Sequence, residues 1–219
     1  MTTKVKPVRL EAGDTIGIVA PASWPNRENA LNGAQWFEQR GIHVEFGTSL
    51  SRKHGYLGGT DQDRVDELHA MFANPHIKGI ICACGGYGTG RIASMLDYEL
   101  IRANPKIFWG YSDITFLLNA FYQKAGLVTF HGPMLSSDIG KEDVHPLTLE
   151  TLEQLLTPML FNYTEEISKL STFIEGEASG EIVGGNLSLL ASGIGTAFEI
   201  VTKGKLLLIE EIDEDIYRV

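Results

Sequence analysis

Residues 106–115 read Lys-Ile-Phe-Trp-Gly-Tyr-Ser-Asp-Ile-Thr. An apolar run, Ile107–Trp109, meets Gly110, and Ser112 follows just before a helical pattern over Ile114–Lys124. A strand that turns tightly into a helix carries the turn residue to the C-terminal end of a sheet, where its side chain points into the crevice above the strands. The N–H groups of the following helix lie free at the same place and can stabilise an oxyanion. Ser112 is therefore a candidate nucleophile, and a plain helix cap is the competing reading. The pattern is half of a G-x-S-x-G elbow, because Gly110 stands before the serine and Ile114 takes the place of the second glycine.

The same strand-then-helix order extends outward on both sides. Thr15–Ala20 is a short buried-strand run closed by Pro21-Ala22-Ser23, and Glu28–Arg40 places Ala30, Leu31, Ala34 and Phe37 at helical spacing before Gly41. His43–Phe46 is a second strand, and Thr60-Asp-Gln-Asp63 forms a capping box for a helix with Val65, Leu68, Met71 and Phe72 on one side. Gly79–Ala83 is a third strand. A helix over 91–103 follows, with Ile92, Met95, Leu96 and Leu100 inward, and Leu127–Phe130 is a strand after the Ser112 helix. Strands alternating with helices predict an α/β fold, a parallel sheet with helices on both faces.

Beyond Ser136 the character changes. Residues 136–173 are polar and irregular, with a helical piece at Leu147–Leu156, and short β-type runs then occur at Gly180–Val183 and Lys205–Ile209 around Gly184-Gly185-Asn186. This predicts an N-terminal α/β domain over 1–165, a linker near 160–175, and the beginning of a β-rich C-terminal domain over 175–219, incomplete at its end.

A glycine-rich turn follows the third strand: Cys84-Gly85-Gly86-Tyr87-Gly88-Thr89-Gly90. Such a turn lets a backbone approach a ligand closely and present N–H groups as an anion nest. The lysine and hydroxyl of a phosphate-binding Walker loop are missing, and no G-x-G-x-x-G spacing occurs. Strand ends separated by one helix commonly lie close in a parallel sheet, so this loop and the N–H of Asp113 together could supply oxyanion donors, a bare tight turn being the alternative.

Composition sets the outer bounds. The net charge is −10, and none of the 18 Lys and Arg residues form a run, which argues against a nucleic-acid partner. The N-terminus has no apolar leader core, and the least polar long stretch, Leu187–Phe198, is too short and too rich in Gly, Ser and Thr to span a bilayer. A cytoplasmic protein without membrane partners is expected. Cys82 and Cys84, alternate residues about 6.5–7 Å apart at Cα, have poor disulfide geometry and read as reduced thiols. No spacing typical of a metal site occurs, and no cofactor is expected.

A serine nucleophile needs a base, usually histidine, oriented by a carboxylate. His54, His69, His76 and His145 lie in polar helix or loop contexts, whereas His131 follows a strand that should end on the same side of the sheet as Ser112. Glu210 and Glu211 follow the apolar run Leu206–Ile209, and alternation sends them to opposite faces.

Six segments in order, Gly13–Ser23, Gly85-Gly-Tyr-Gly88, Gly110–Thr115, His131-Gly-Pro-Met134, Gly184-Gly-Asn-Leu187 and Leu208-Ile-Glu-Glu211, resemble the LD-carboxypeptidase family of serine peptidases, which includes microcin C self-immunity peptidases. The resemblance implies a Ser–His–Glu hydrolase that releases the terminal D-amino acid from murein tetrapeptides during wall recycling, with the site between an α/β and a β-rich domain and homodimers common. Carried over by motif, Ser112 is the nucleophile, Glu210 rather than Glu211 orients the base, and the N–H groups of Asp113 and Gly86 are the oxyanion donors. Gly85, Tyr87, His131, Asn186 and Arg91 are candidate substrate contacts, Arg91 and the Ser23 turn for the substrate's terminal carboxylate.

Two departures follow from the same resemblance. The family's catalytic histidine lies later in the C-terminal domain, no residue here aligns with it, and the sequence stops at Val219, so a truncated, weakly active chain is expected. Cys84 stands where many relatives carry arginine. An immunity peptidase acting on an aminoacyl-nucleotide, and a non-catalytic module binding a peptide or anion through Gly85–Gly90, are the competing readings.

Overall fold

Five of the apolar runs become parallel strands: β1 (Thr15–Val19), β2 (His43–Phe46), β3 (Ile77–Cys82), β4 (Ile107–Gly110) and β5 (Phe130–His131). They hydrogen-bond in the order β2-β1-β3-β4-β5. The computed structural model describes residues 3–215 and 217, so the expected break at Val219 lies outside the described residues. The inner strands read as continuous apolar runs because both faces of the sheet are covered. Successive side chains divide between two layers: Ile18, Ile81 and Trp109 pack with Trp36, Phe37 and Leu50, whereas Val19, Ile80, Cys82 and Phe108 pack with Leu68, Phe72 and Phe121.

The covering helices are α1 (Arg27–Glu38), α2 (Asp61–Ala73), α3 (Thr89–Ile92), α4 (Tyr98–Ala103), α5 (Thr115–Ala120), α6 (Pro146–Leu152) and α7 (Leu187–Gly193). The capping box ahead of α2 forms as the sequence predicts: Asp63 N donates to Thr60 Oγ1 at 3.2 Å, and Thr60 N donates to Asp63 Oδ2 at 3.0 Å. Leu31 and Met95, expected inward, stand partly exposed, and Trp36 and Ile101 fill the core on those helices instead.

Two elements differ from expectation for local reasons. The single helix expected over 91–103 is broken, because Asp97 is extended and its carboxylate accepts from Glu99 N at 3.0 Å and Leu100 N at 2.9 Å, starting α4 afresh. The strand expected over Leu127–Phe130 shrinks to β5. Its first residues pair with the N-terminal segment instead, Val5 N donating to Gly126 O and Val128 N to Val5 O, each at 2.9 Å.

A second, two-stranded parallel sheet joins β6 (Ile182–Asn186) and β7 (Leu206–Glu210), with Asn186 opposite Glu210. Residues 157–181 carry turns but no helix or strand. β6 is bolted to α5: Asn119 Nδ2 donates to Gly184 O at 2.9 Å, Gly184 N donates to Asn119 Oδ1 at 3.3 Å, and Asn186 N donates to Thr115 Oγ1 at 3.0 Å. A Cβ at Gly185 would lie 2.6 Å from Thr115 Oγ1, so only glycine allows this approach. Among the described residues, no helix is long and apolar enough to cross a membrane.

Asn119→Ala should leave the N–H and C=O of Gly184 without their partner. We expect a loss of about 1–3 kcal/mol in urea unfolding, together with faster amide exchange at Gly184.

Candidate active site

The strand order places β2 on one side of β1 and β3, β4 and β5 on the other, so the chain's connections diverge between β1 and β3. In open α/β sheets such a divergence leaves a crevice at the carboxyl ends of the strands. Three turns meet there. The turn after β1 touches the glycine loop after β3: Ser23 N donates to Gly85 O at 3.1 Å, and Tyr87 N donates to Ser23 Oγ at 3.1 Å. The turn after β4 carries Ser112 against the same loop. A methyl group on Gly85 would lie 2.9 Å from Ser112 Cβ and 3.0 Å from Ser112 Oγ.

Ser112 has φ 61, in the left-handed region that an L residue other than glycine rarely occupies. The cost is of order 1–3 kcal/mol, and the backbone makes a tight strand-to-helix elbow of the kind that lifts a side chain out of the sheet. Gly110 makes the sharp turn possible, since a Cβ there would press at 3.1 Å on Cys82 Cβ and on Ile114. Among the described residues no side chain hydrogen-bonds Ser112 Oγ. The hydroxyl opens into a cleft of about 310 Å³ lined by Ser23, Trp24, Gly85, Gly86, Tyr111 and Ser136, among others.

Gly86 has φ 103, and a Cβ there would collide with Ser23 Oγ. Its N–H finds no acceptor among the described residues and borders the cleft. The Asp113 N–H belongs to the first helical turn, where donors have no intrahelical acceptor, and lies 3.3 Å from where a Gly85 Cβ would sit. Asp113's own carboxylate turns inward and is 2% exposed. Thr89 N donates to its Oδ2 at 2.9 Å, and Thr89 Oγ1 donates to the Asp113 carbonyl at 2.6 Å. Burial raises the pKa of this carboxyl, and the N–H groups of Thr89 and Gly88 oppose the rise.

The two glutamates at the end of β7 have different surroundings. Glu211 is saturated: Ser188 N at 2.9 Å, Ser188 Oγ at 2.6 Å and Asn186 Nδ2 at 2.9 Å all donate to it. Those bonds, the Ser188 hydroxyl foremost, hold its pKa down at about 2. Glu210 is half-buried, and its Oε1 is buried with no hydrogen-bond partner among the described residues. Burial raises its pKa, the Asn186 amide opposes this, and the Glu211 charge adds to it. Its charge also acts on the Tyr111 phenol, whose pKa is raised first by burial and then by Asp138 and Glu210. Glu210 is thus the carboxylate with an acceptor to spare near the residue that precedes Ser112.

The remaining candidates divide. His131 ends β5 opposite Gly110, with its ring centroid 5.8 Å from that of Tyr111. It faces a neighbouring cleft of about 450 Å³, and although it keeps solvent contact, desolvation lowers its pKa. Tyr87 is exposed and packs edge-on against Tyr56 with centroids 5.9 Å apart. Asn186 is buried and caps α7, its Oδ1 accepting from Leu189 N at 3.2 Å, so its side chain is spent on structure. Arg91 is forked onto Asp61, Nε to Oδ1 at 3.0 Å and Nη2 to Oδ2 at 2.7 Å. The sequence offers the Ser23 turn only as a candidate for the substrate's terminal carboxylate; its contact with the β3 loop, and the place of Tyr111 on the same cleft, follow from the strand order, which sets the β1 turn beside that loop. Cys84 lines the cleft, its Sγ donating to Ser23 O at 3.1 Å, and burial pushes its pKa up to about 12.

Residues 16–132 match the LD-carboxypeptidase N-terminal domain, and residues 179–219 match the LD-carboxypeptidase C-terminal domain. The chain belongs to the LD-carboxypeptidase family. It is 55% identical over 214 residues to a probable murein peptide carboxypeptidase of Bacillus subtilis (strain 168), a match that covers 98% of this chain and 67% of the relative. Among solved structures it is similar to an MccF-like protein from Bacillus anthracis str. Ames, with TM-score 0.82, 34% identity, and coverage of 94% of this chain and 70% of that one. It is also similar to the microcin C7 self-immunity protein MccF in complex with aspartyl sulfamoyl adenosine, with TM-score 0.82, 27% identity, and coverage of 97% and 72%. Family membership makes this chain a relative of hydrolases acting on peptides, on the fold expected from its sequence.

Two measurements check the geometry. Because φ 61 suits glycine, Ser112→Gly should be more stable than Ser112→Ala by about 1 kcal/mol in denaturant titration. Glu211's folded-state pKa lies below its ordinary 4.5, so its stabilising contribution is present above about pH 4.5 and is lost as pH falls toward 2. Glu211→Gln should therefore flatten the acid limb of a plot of thermal midpoint against pH.

Proposed function

We propose that this chain carries the nucleophile, the oxyanion donors and the orienting carboxylate of a serine-type LD-carboxypeptidase. Its reaction is hydrolysis of the L,D-peptide bond that frees the terminal D-amino acid of a murein tetrapeptide. The observation that carries the reading is Ser112 itself, held at φ 61 at a strand end with its hydroxyl against the Gly85 loop, in a member of this family.

In the proposed reaction Ser112 Oγ attacks the carbonyl carbon of the scissile bond and yields its proton to a base. The carbonyl oxygen takes up the negative charge and accepts hydrogen bonds from the N–H groups of Gly86 and Asp113, which need no reorganisation to receive it. The base returns the proton to the departing amine of the D-amino acid, and water then cleaves the acyl-serine by the reverse sequence. Glu210, with an unpartnered buried oxygen, orients the base.

The base is a histidine that the described residues do not place at Ser112. We assign it to the part of the relatives that this chain does not span, since the match covers 67% of the Bacillus subtilis protein. The 219-residue chain alone is then expected to turn over little substrate. A cytoplasmic location and a homodimeric full-length form belong to the same proposal and rest on the resemblance.

A second reading draws on the likeness to MccF bound to aspartyl sulfamoyl adenosine: an immunity-type peptidase that cleaves an aminoacyl-nucleotide. The test is release of D-alanine from L-Ala-D-Glu-meso-diaminopimelate-D-Ala, with an aminoacyl sulfamoyl adenosine assayed alongside. We expect the full-length gene product to cleave the tetrapeptide, Ser112→Ala to lose at least about 10³-fold in kcat, and the 219-residue chain to be comparably weak. Preference for the nucleotide substrate would establish the second reading. Full activity in Ser112→Ala would overturn both, high activity in the short chain would move the base to His131, and tight peptide binding without turnover in the full-length protein would make this a binding module.

A further inference from the structure

Arg64 in α2 carries a guanidinium buried completely beneath the site loops. Its Nη1 donates to the carbonyl of Pro21, in the turn after β1, at 2.5 Å, and to the carbonyl of Gly88, in the glycine loop after β3, at 2.9 Å. Its Nη2 pairs with Asp61, which also receives the fork from Arg91. The Nε is buried and has no acceptor among the described residues. A buried cation with one donor unpaired is a costly way to fill space, and an apolar side chain of similar volume usually serves stability as well or better. What an apolar side chain cannot do is hold two carbonyls of separate turns at one nitrogen.

The peptide that Arg64 grips is held from its other side by Asp113. Gly88 gives its carbonyl to Arg64, while the Thr89 N–H of the same peptide turns to the Asp113 carboxylate. The Arg64 and Asp113 charges attract each other across that peptide. Gly88 fits only as glycine, since at φ 129 a Cβ would lie 2.8 Å from Arg64 Nη1 and 2.7 Å from Leu57 Cδ2. Ser23 and Gly86, two residues inward from the gripped carbonyls, form the wall of the cleft.

We propose that Arg64 is a positioning residue of the hydrolase, fixing the β1 turn and the glycine loop against each other so that the Gly86 N–H faces the oxyanion formed at Ser112. This deepens the proposed function and rests on its assignment of Gly86 and Asp113 as oxyanion donors. Arg64 touches no substrate; it acts through backbone. Asp61 keeps the guanidinium aligned from the solvent side, and Asp113 couples the same peptide to the nucleophile turn. A displacement of about 1 Å in such a donor costs on the order of 10²-fold in rate, comparable to removing one oxyanion donor.

The test compares Arg64→Lys and Asp61→Asn with the full-length wild-type protein, using D-alanine release and the affinity of a peptide boronate that forms a tetrahedral adduct on serine. Tetrapeptide affinity is measured in the Ser112→Ala background, and thermal midpoints are recorded throughout. We expect Arg64→Lys to lower kcat by about 10- to 100-fold with KM within about twofold. Boronate affinity should fall in step with kcat/KM while tetrapeptide affinity is unchanged, and Asp61→Asn should shift both readouts in the same direction by less. Unchanged kcat and boronate affinity in a folded Arg64→Lys protein would overturn the proposal, as would equal losses of boronate and tetrapeptide affinity. If Arg64→Lys does not fold, Asp61→Asn decides by the same two affinities. Failure of the wild type to form a boronate adduct, or activity surviving Ser112→Ala, would instead refute the serine-hydrolase reading.

Discussion

The buried carboxylate of Asp113 is the interaction on which the site depends. A carboxylate 2% exposed is stable only if hydrogen bonding replaces the water it has lost, and here it comes from the backbone of a different turn, at Thr89. The bond therefore does more than satisfy a charge. It joins the glycine loop after β3 to the residue directly after Ser112, so the strained φ of Ser112 is held by a contact that neither turn could make alone. Strain of this kind persists only where the surroundings over-determine it, and the Thr89 hydroxyl bond to the Asp113 carbonyl is a second such restraint.

The same logic extends to the second sheet. β6 reaches α5 through Asn119 and Thr115, both in the helix that follows the Ser112 turn. A helix that receives the Ser112 turn at one end and the second sheet along its side transmits position between them. That is how Glu210, nearly a hundred residues after Ser112, comes to lie where its charge is felt by Tyr111. The division of labour between adjacent glutamates follows from strand alternation: one face of β7's end meets the start of α7 and saturates Glu211, and the other leaves Glu210 with a spare buried acceptor.

Much of this was legible in the residues. Continuous apolar runs marked β1, β3 and β4 because strands covered on both faces have no polar side to alternate with, and Thr60 with Asp63 announced α2 through capping chemistry confined to four residues. The serine turn was legible for the same reason, since Gly110 and Ser112 are close in sequence. What misled was competition between local and distant partners. Asp97 preferred its own N–H acceptor role to a continuous helix, and the segment at Leu127 paired with Val5, more than a hundred residues away.

By itself, then, the sequence determined the α/β class, the elements with strong periodicity, the serine on its strand-to-helix turn and the glycine loop, because each rests on forces acting within a few residues. Tertiary structure decided the strand order, and with it the meeting of Ser23, Gly85 and Ser112 at one crevice. It also decided that Arg91 is spent on Asp61, that Asn186 is a cap, and that Arg64 grips two loops from below. Those outcomes depend on which strand lies beside which, and hydrogen bonds between residues dozens of positions apart leave no local periodicity to read.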